Sequence, residues 1–95
     1  MLILFEQMRD NISPKQIIQP MVSLGMPVEI FKGRQNKWAL KMESEESARD
    51  AVVILQKNIA LVQQFYGTSV QIMYSTTLPT DTHFVSKQVN GRAEA

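Results

Sequence analysis

Two alternating apolar segments joined by a short polar turn constrain the fold of this chain more than any other feature. The segments are "VEIFK" and "KWALKM", and "GRQN" lies between them. Because successive strand side chains point to opposite faces of a sheet, the alternation predicts two half-buried strands joined as a hairpin. On the second strand, the face expected to meet the helices carries Trp38, Leu40 and Met42. The opposite face carries Lys37, Ala39 and Lys41.

The segment before this hairpin predicts a strand and then a helix. Residues 2–5 form a short apolar run that is typical of a buried strand. Ser13, Pro14 and Gln16 form a capping-box pattern, which predicts a helix start. Pro20 lies inside that helix and removes a backbone donor, so we expect a kink or two short pieces. Gly25 is a stop signal for this helix. The apolar face of the helix is expected to consist of Ile17, Ile18, Met21, Val22 and Leu24.

The segment after the hairpin predicts a long helix and a fourth strand. Ser44 can cap the helix, with Glu45 and Glu46 in its first turn. Apolar residues recur at helical spacing, so the helix is expected to run to about Tyr66, before Gly67: Ala48, Ala51, Val52, Leu55, Ile59 and Val62. The alternation in residues 70–74 predicts a fourth strand. One of its faces carries Val70, Ile72 and Tyr74, and the other carries Gln71 and Met73.

The element order therefore predicts an α+β, ferredoxin-like βαββαβ domain, with a four-stranded antiparallel sheet covered on one face by two helices. Residues 1–78 are expected to form this single domain. Residues 79–95 are expected to form a mobile C-terminal tail, and the sequence leaves open whether it folds back onto the sheet. The expected core is Leu4, Ile17, Met21, Leu24, Val28, Ile30, Trp38, Leu40, Met42, Val52, Leu55, Ile72 and their neighbours.

Composition excludes several classes of protein. The 95 residues are 44% hydrophobic and 20% charged, which fits one small globular domain. With no cysteine, the chain has no disulfide framework, zinc–thiolate site or thiol nucleophile, and a reducing cytoplasmic location is predicted. The apolar opening "MLILFEQM" lacks a basic start and reaches Glu6 at once, so we expect neither a signal peptide nor a membrane span.

No pattern of residues predicts an enzyme, a metal site or a cofactor. His83 is the only histidine and is too isolated for a metal cluster or a catalytic triad. The acids near residue 45 are explained by a helix start rather than by acid–base catalysis. Gly33 and Gly67 are isolated, so they do not form a phosphate-binding loop.

The stretch "KWALKMESEESARDAV" resembles the third strand and second helix of the RNA recognition motif, and the element order of residues 2–74 is similar to that family's. In that family the third strand carries a K-G-F-G-F-V-x-F type motif whose aromatic side chains stack on bases. On this chain the motif falls on residues 35–42, where Lys37 and Ala39 occupy the stacking positions. The resemblance implies an RNA-binding sheet face that lacks the family's usual stacking aromatics.

The predicted function is that of a small, non-enzymatic regulator that binds RNA or another single strand through the basic third strand and hairpin. Its candidate binding residues are Lys32, Arg34, Lys37, Lys41, Phe5 and Phe31. Two alternatives stay open. One is a protein-interaction or homo-oligomeric module, including a small inhibitor of one protein target, that uses Phe5, Phe31 and Met73 as an apolar patch. The other, a small-molecule sensor, lacks a convergent polar pocket in the sequence.

Overall fold

The computed structural model describes residues 2–21, 24–25, 27–89 and 92–94, and it is an α+β fold built on one antiparallel sheet. The strands are β1 (Leu2–Glu6), β2 (Pro27–Lys32), β3 (Trp38–Met42), β4 (Gln71–Ser75), β5 (His83–Val89) and β6 (Arg92–Glu94). The helices are α1 (Pro14–Ile18), a 3₁₀ helix (Gln19–Met21), α2 (Glu45–Lys57) and α3 (Ile59–Tyr66). The strand order is β4-β1-β3-β2-β5-β6.

The predicted topology of four strands and two helices is therefore wrong. The sheet continues past β2 through β5 and β6, and the helical part comprises three α-helices. β5 pairs antiparallel with β2 from Lys32↔His83 to Glu29↔Lys87. A strand edge exposes unpaired backbone donors and acceptors, and pairing with β5 satisfies those of β2. Residues 83–89 and 92–94 are thus part of the sheet.

The main hydrophobic core lies between the sheet and the helices. Trp38, Leu40 and Met42 all face it, which confirms the predicted face of β3. Leu4 is buried as predicted, but it lies on the opposite face of the sheet, in a small core cluster with Leu2 and Ala39. The other predicted core residues are buried, except for two that are partly exposed: Leu24 and Val28.

The first helical segment begins and breaks where its sequence predicts. The Gln16 backbone N–H donates to Ser13 Oγ at 3.3 Å, and the Ser13 backbone N–H donates to Gln16 Oε1 at 2.9 Å. This reciprocal capping box starts α1. Pro20 falls in the 3₁₀ helix, so the segment consists of two short pieces as predicted. Val22, predicted on its apolar face, lies outside the described residues.

The predicted long helix is interrupted at Asn58. α2 ends at Lys57 and α3 begins at Ile59, whereas the cap at Ser44 and the stop at Gly67 agree with the prediction. Asn58 adopts φ −112° and ψ 34°, and its side-chain Nδ2 donates to the Ile54 carbonyl at 2.8 Å. An asparagine side chain that bonds to the preceding turn competes with the helical backbone, which accounts for the break.

Residues 76–82, which we call the crossing segment, run over the sheet face opposite the helices. β4 ends at Ser75, which pairs with Leu2 at the start of β1. β5 begins at His83, which pairs with Lys32 at the opposite end of the sheet's strands. Leu78 and Thr76 lie with three sheet residues around a cavity of about 300 Å³: Leu2, Phe31 and Lys41. The crossing segment therefore partly covers the face that the sequence predicts to be open.

Candidate interaction surfaces

Phe5 is not on the predicted binding face. Its side chain is fully buried in the main core, where its ring meets the Tyr66 ring edge-on at 5.2 Å between centroids. The placement of Phe5 on the open face is wrong because residues 2–5 are all apolar, so β1 has no alternation that distinguishes its two faces. Phe5 is a packing residue and is not available to a base or a partner.

Phe31 does lie on the face opposite the helices, packed against the small cluster of Leu2, Leu4 and Ala39. Its ring meets the ring of Phe84, on β5, edge-on at 6.0 Å. Phe84 is 48% exposed, whereas Phe31 is partly buried. The accessible aromatic surface here comes mainly from Phe84, a residue that the sequence does not single out because its contact with Phe31 is long-range.

Two of the predicted basic residues are paired with acids. Lys37 Nζ lies 3.5 Å from Asp81 Oδ2 of the crossing segment, and Lys41 Nζ lies 3.4 Å from Glu29 Oε1 on β2. Such exposed pairs contribute little to stability, but each acid cancels charge that would otherwise attract phosphate. The basic character that the sequence suggests for this face is thus partly neutralised.

The remaining two predicted basic residues lie apart from Lys41. Lys32 extends over the Trp38 ring, with 5.3 Å between Nζ and the ring centroid, and Trp38 belongs to the helix-side core. Arg34 is exposed in the hairpin turn, where its carbonyl accepts from the Lys37 N–H at 3.1 Å. The structure therefore does not bring the six predicted residues into one continuous surface.

A different surface of the molecule is more apolar. Between the 3₁₀ helix and the α2–α3 break lies a groove of about 450 Å³, and none of the described residues that line it is charged. Among the described lining residues, three carry polar groups: Gln19, Asn58 and Tyr66. Its other walls are apolar: Pro20, Leu24, Ile54, Leu55, Leu61, Val62 and Phe65. We call this the α3 groove.

The helices that line the α3 groove, α2 and α3, carry several exposed apolar side chains. Leu61, on its rim, is 66% exposed, the highest value among the exposed large hydrophobic side chains described. Three further exposed apolar residues lie close to Leu61 in the sequence: Val53, Ile54 and Ile59. Sequence reasoning missed this surface because it assigned one helix with one buried stripe. The available signal was the run "AVVILQKNIALV", in which apolar residues exceed what a single buried stripe needs.

Tyr66 fixes one wall of the α3 groove. Its phenol donates to the Ile17 carbonyl at 2.6 Å, so its hydroxyl is engaged within the chain. Burial raises the pKa of this phenol above its ordinary value because the phenolate would be poorly solvated. The side chain stays neutral near pH 7 and provides a rigid aromatic surface.

Within the ranges that the structure describes, no group of three or more histidine, cysteine, aspartate or glutamate residues could hold a metal ion. None of the helices described there is both long and apolar enough to cross a membrane.

Comparisons of the chain with protein-family models, with curated proteins and with solved structures find no match. The resemblance to the RNA recognition motif therefore stays a prediction, and function has to be argued from the surfaces described above.

Proposed function

We propose that this chain is a non-enzymatic protein-interaction module that binds an apolar segment of a partner protein in the α3 groove. The observation that carries the proposal is the uncharged, largely apolar lining of the groove together with the 66% exposure of Leu61 on its rim. Contiguous exposed apolar surface on a small domain favours a protein contact. A cytoplasmic location, favoured by the absence of cysteine, forms part of the proposal.

The preferred partner segment is an amphipathic helix. Such helices place apolar residues at positions i, i+3, i+4 and i+7 into hydrophobic grooves, and they do not require charges on the receiving side. A small-molecule ligand is less favoured because exposed apolar side chains also occur on α2 and α3 outside the groove lining, at Val53 and Ile59.

The test is selection of random peptides displayed on phage against the full chain, followed by fluorescence anisotropy with the selected peptides. Peptides with helical apolar spacing should bind, their affinity should change little with salt, and Leu61→Glu should weaken binding at least ~10-fold. Gln64→Glu is the matched control, since Gln64 is exposed on the same helix and does not line the groove. Selected peptides that bind Leu61→Glu as well as they bind the unaltered chain would contradict the proposal.

Binding of RNA or another single strand is the second candidate, supported by the half-exposed Phe84 ring beside Phe31 and by the exposed Arg34. The same titration with random single-stranded RNA tests it at two salt concentrations. Binding that falls steeply with salt and with Lys37→Gln/Lys41→Gln, but not with Leu61→Glu, would favour this candidate over the groove.

A further inference from the structure

The outer face of α2 carries a short stripe in which two apolar residues lie between two opposite charges. Asp50, Val53, Ile54 and Lys57 follow the spacing i, i+3, i+4, i+7, which places them on one side of a helix. Val53 is 48% exposed and Ile54 is 40% exposed. The buried side of the same helix is formed by other residues: Ala48, Ala51, Val52 and Leu55.

The two charges of this stripe are not used within the chain. Neither Asp50 nor Lys57 forms an ion pair with any other residue that the structure describes. They cannot pair with each other, because seven residues span about 10 Å along a helix. The nearby Arg49 is different, since it pairs with Glu45 at 2.7 Å and lies over the Tyr74 ring.

We infer that two copies of this chain associate through this stripe, with their α2 helices antiparallel around a two-fold axis that passes between Val53 and Ile54. The midpoint between positions 50 and 57 is also the midpoint between 53 and 54. In an antiparallel pair centred there, Asp50 of each copy faces Lys57 of the other, and the apolar pair of each copy meets that of the other.

A second copy fits this stripe better than an unrelated protein because the pattern is complementary to itself. Antiparallel packing pairs opposite charges at both ends, whereas parallel packing would set Asp50 against Asp50 and Lys57 against Lys57. The contact area of one short helix is small, so we expect a weak, rapidly exchanging dimer. The inference does not depend on the α3 groove, although Ile54 borders both surfaces.

The test is sedimentation equilibrium of the full chain over a range of concentrations, with the variants Asp50→Lys and Lys57→Asp. Each variant alone places like charges at both ends of the contact and should raise the dimer dissociation constant about tenfold or more. An equimolar mixture of the two variants should restore association, because opposite charges then meet at both ends. Glu43→Lys and Lys15→Asp make the same changes in net charge at exposed positions outside α2 and should have no effect.

Three results would overturn the inference: a monomer at every concentration up to about 1 mM, a dimer that neither charge reversal weakens, or a mixture that stays as dissociated as the single variants. None of these results concerns peptide binding in the α3 groove, which Leu61→Glu tests separately.

Discussion

Tyr66 joins three parts of the molecule through one side chain. Its ring packs edge-on against Phe5 of β1 and, at 5.3 Å between centroids, against its neighbour Phe65. Its hydroxyl bonds to the carbonyl of Ile17 in α1. Removal of this hydroxyl costs stability, because the buried Ile17 carbonyl then loses the donor that replaces its hydration. Tyr66 therefore connects α1 and α3 to strand β1 of the sheet.

The raised pKa of Tyr66 predicts a loss of stability in alkaline solution. The unfolded phenol ionises near pH ~10, whereas the folded one keeps its proton to higher pH. Its contribution is therefore complete below pH ~10 and declines as the pH rises above that value. Tyr66→Phe should lower the free energy of unfolding by about 1 kcal/mol at neutral pH but flatten its fall between about pH 9 and 11. Urea denaturation at several pH values measures both effects.

The matched control for this prediction is Tyr74→Phe, since Tyr74 lies on β4 and is only partly buried. If Tyr74→Phe flattens the alkaline decline as much as Tyr66→Phe does, burial of Tyr66 is not its cause.

At the scale of elements, the C-terminus of α3 is held by the loop that follows β1. The Arg9 backbone N–H donates to the Tyr66 carbonyl at 2.6 Å, and Arg9 Nε donates to the Phe65 carbonyl at 3.0 Å. These donors satisfy carbonyls that a helix end leaves unpaired. They also bring the Arg9 backbone so close that a Cβ on Gly67 would lie 2.9 Å from the Arg9 nitrogen. Gly67 is thus required by its surroundings as well as by its φ of 128°.

Gly67→Ala should therefore destabilise the chain more than Gly25→Ala. Both glycines have positive φ, but the one contact that the described residues offer to a Cβ on Gly25 is Met42 Cε, at an ordinary 3.8 Å. We expect Gly25→Ala to cost about 1 kcal/mol of unfolding free energy from backbone strain. Gly67→Ala should cost about 2–3 kcal/mol or more, because strain and crowding act together. Equal shifts of the two denaturation midpoints would show that the contact with Arg9 has no energetic effect.

At the scale of the whole molecule, the sheet has a large core on the helix side and a small cluster under the crossing segment. β1 and β3 lie in the middle of the part of the sheet that the helices cover, whereas β5 lies between β2 and the short strand β6 and is reached through the crossing segment. A small apolar cluster stabilises the structure around it less than a large core does, because less apolar area is removed from water. We therefore expect the attachment of β5 to depend on the crossing segment more than the central strands do.

Leu78→Ser tests this dependence. It removes an apolar side chain from the cavity shared with Leu2 and Phe31, at a cost of about 1 kcal/mol. In native-state hydrogen exchange the amides of β5 should exchange faster, while those of β1 and β3 change little. Thr80→Ala, an exposed position in the same segment, is the control. Equal acceleration in all three strands would mean that β5 and the central strands unfold as one unit.

Local signals in the sequence predicted much of the fold. The capping box at Ser13, the cap at Ser44, the stop at Gly67 and the faces of β3 all depend on residues close together in the chain. The candidate site was less predictable. Of its six residues, Phe5 is buried, and the acids that pair with Lys37 and Lys41 come from other segments, Asp81 and Glu29.

The sequence by itself determined where most helices and strands begin, because caps, turns and alternation act over a few residues. Tertiary structure alone decided which face of β1 meets the helices, because its apolar run fits either face. It also decided that residues 83–89 become a strand, since that segment pairs with β2, which is distant in sequence, as well as with the short strand β6. The exposed apolar surface of α2 and α3 likewise depends on packing, which left part of a segment rich in apolar residues uncovered.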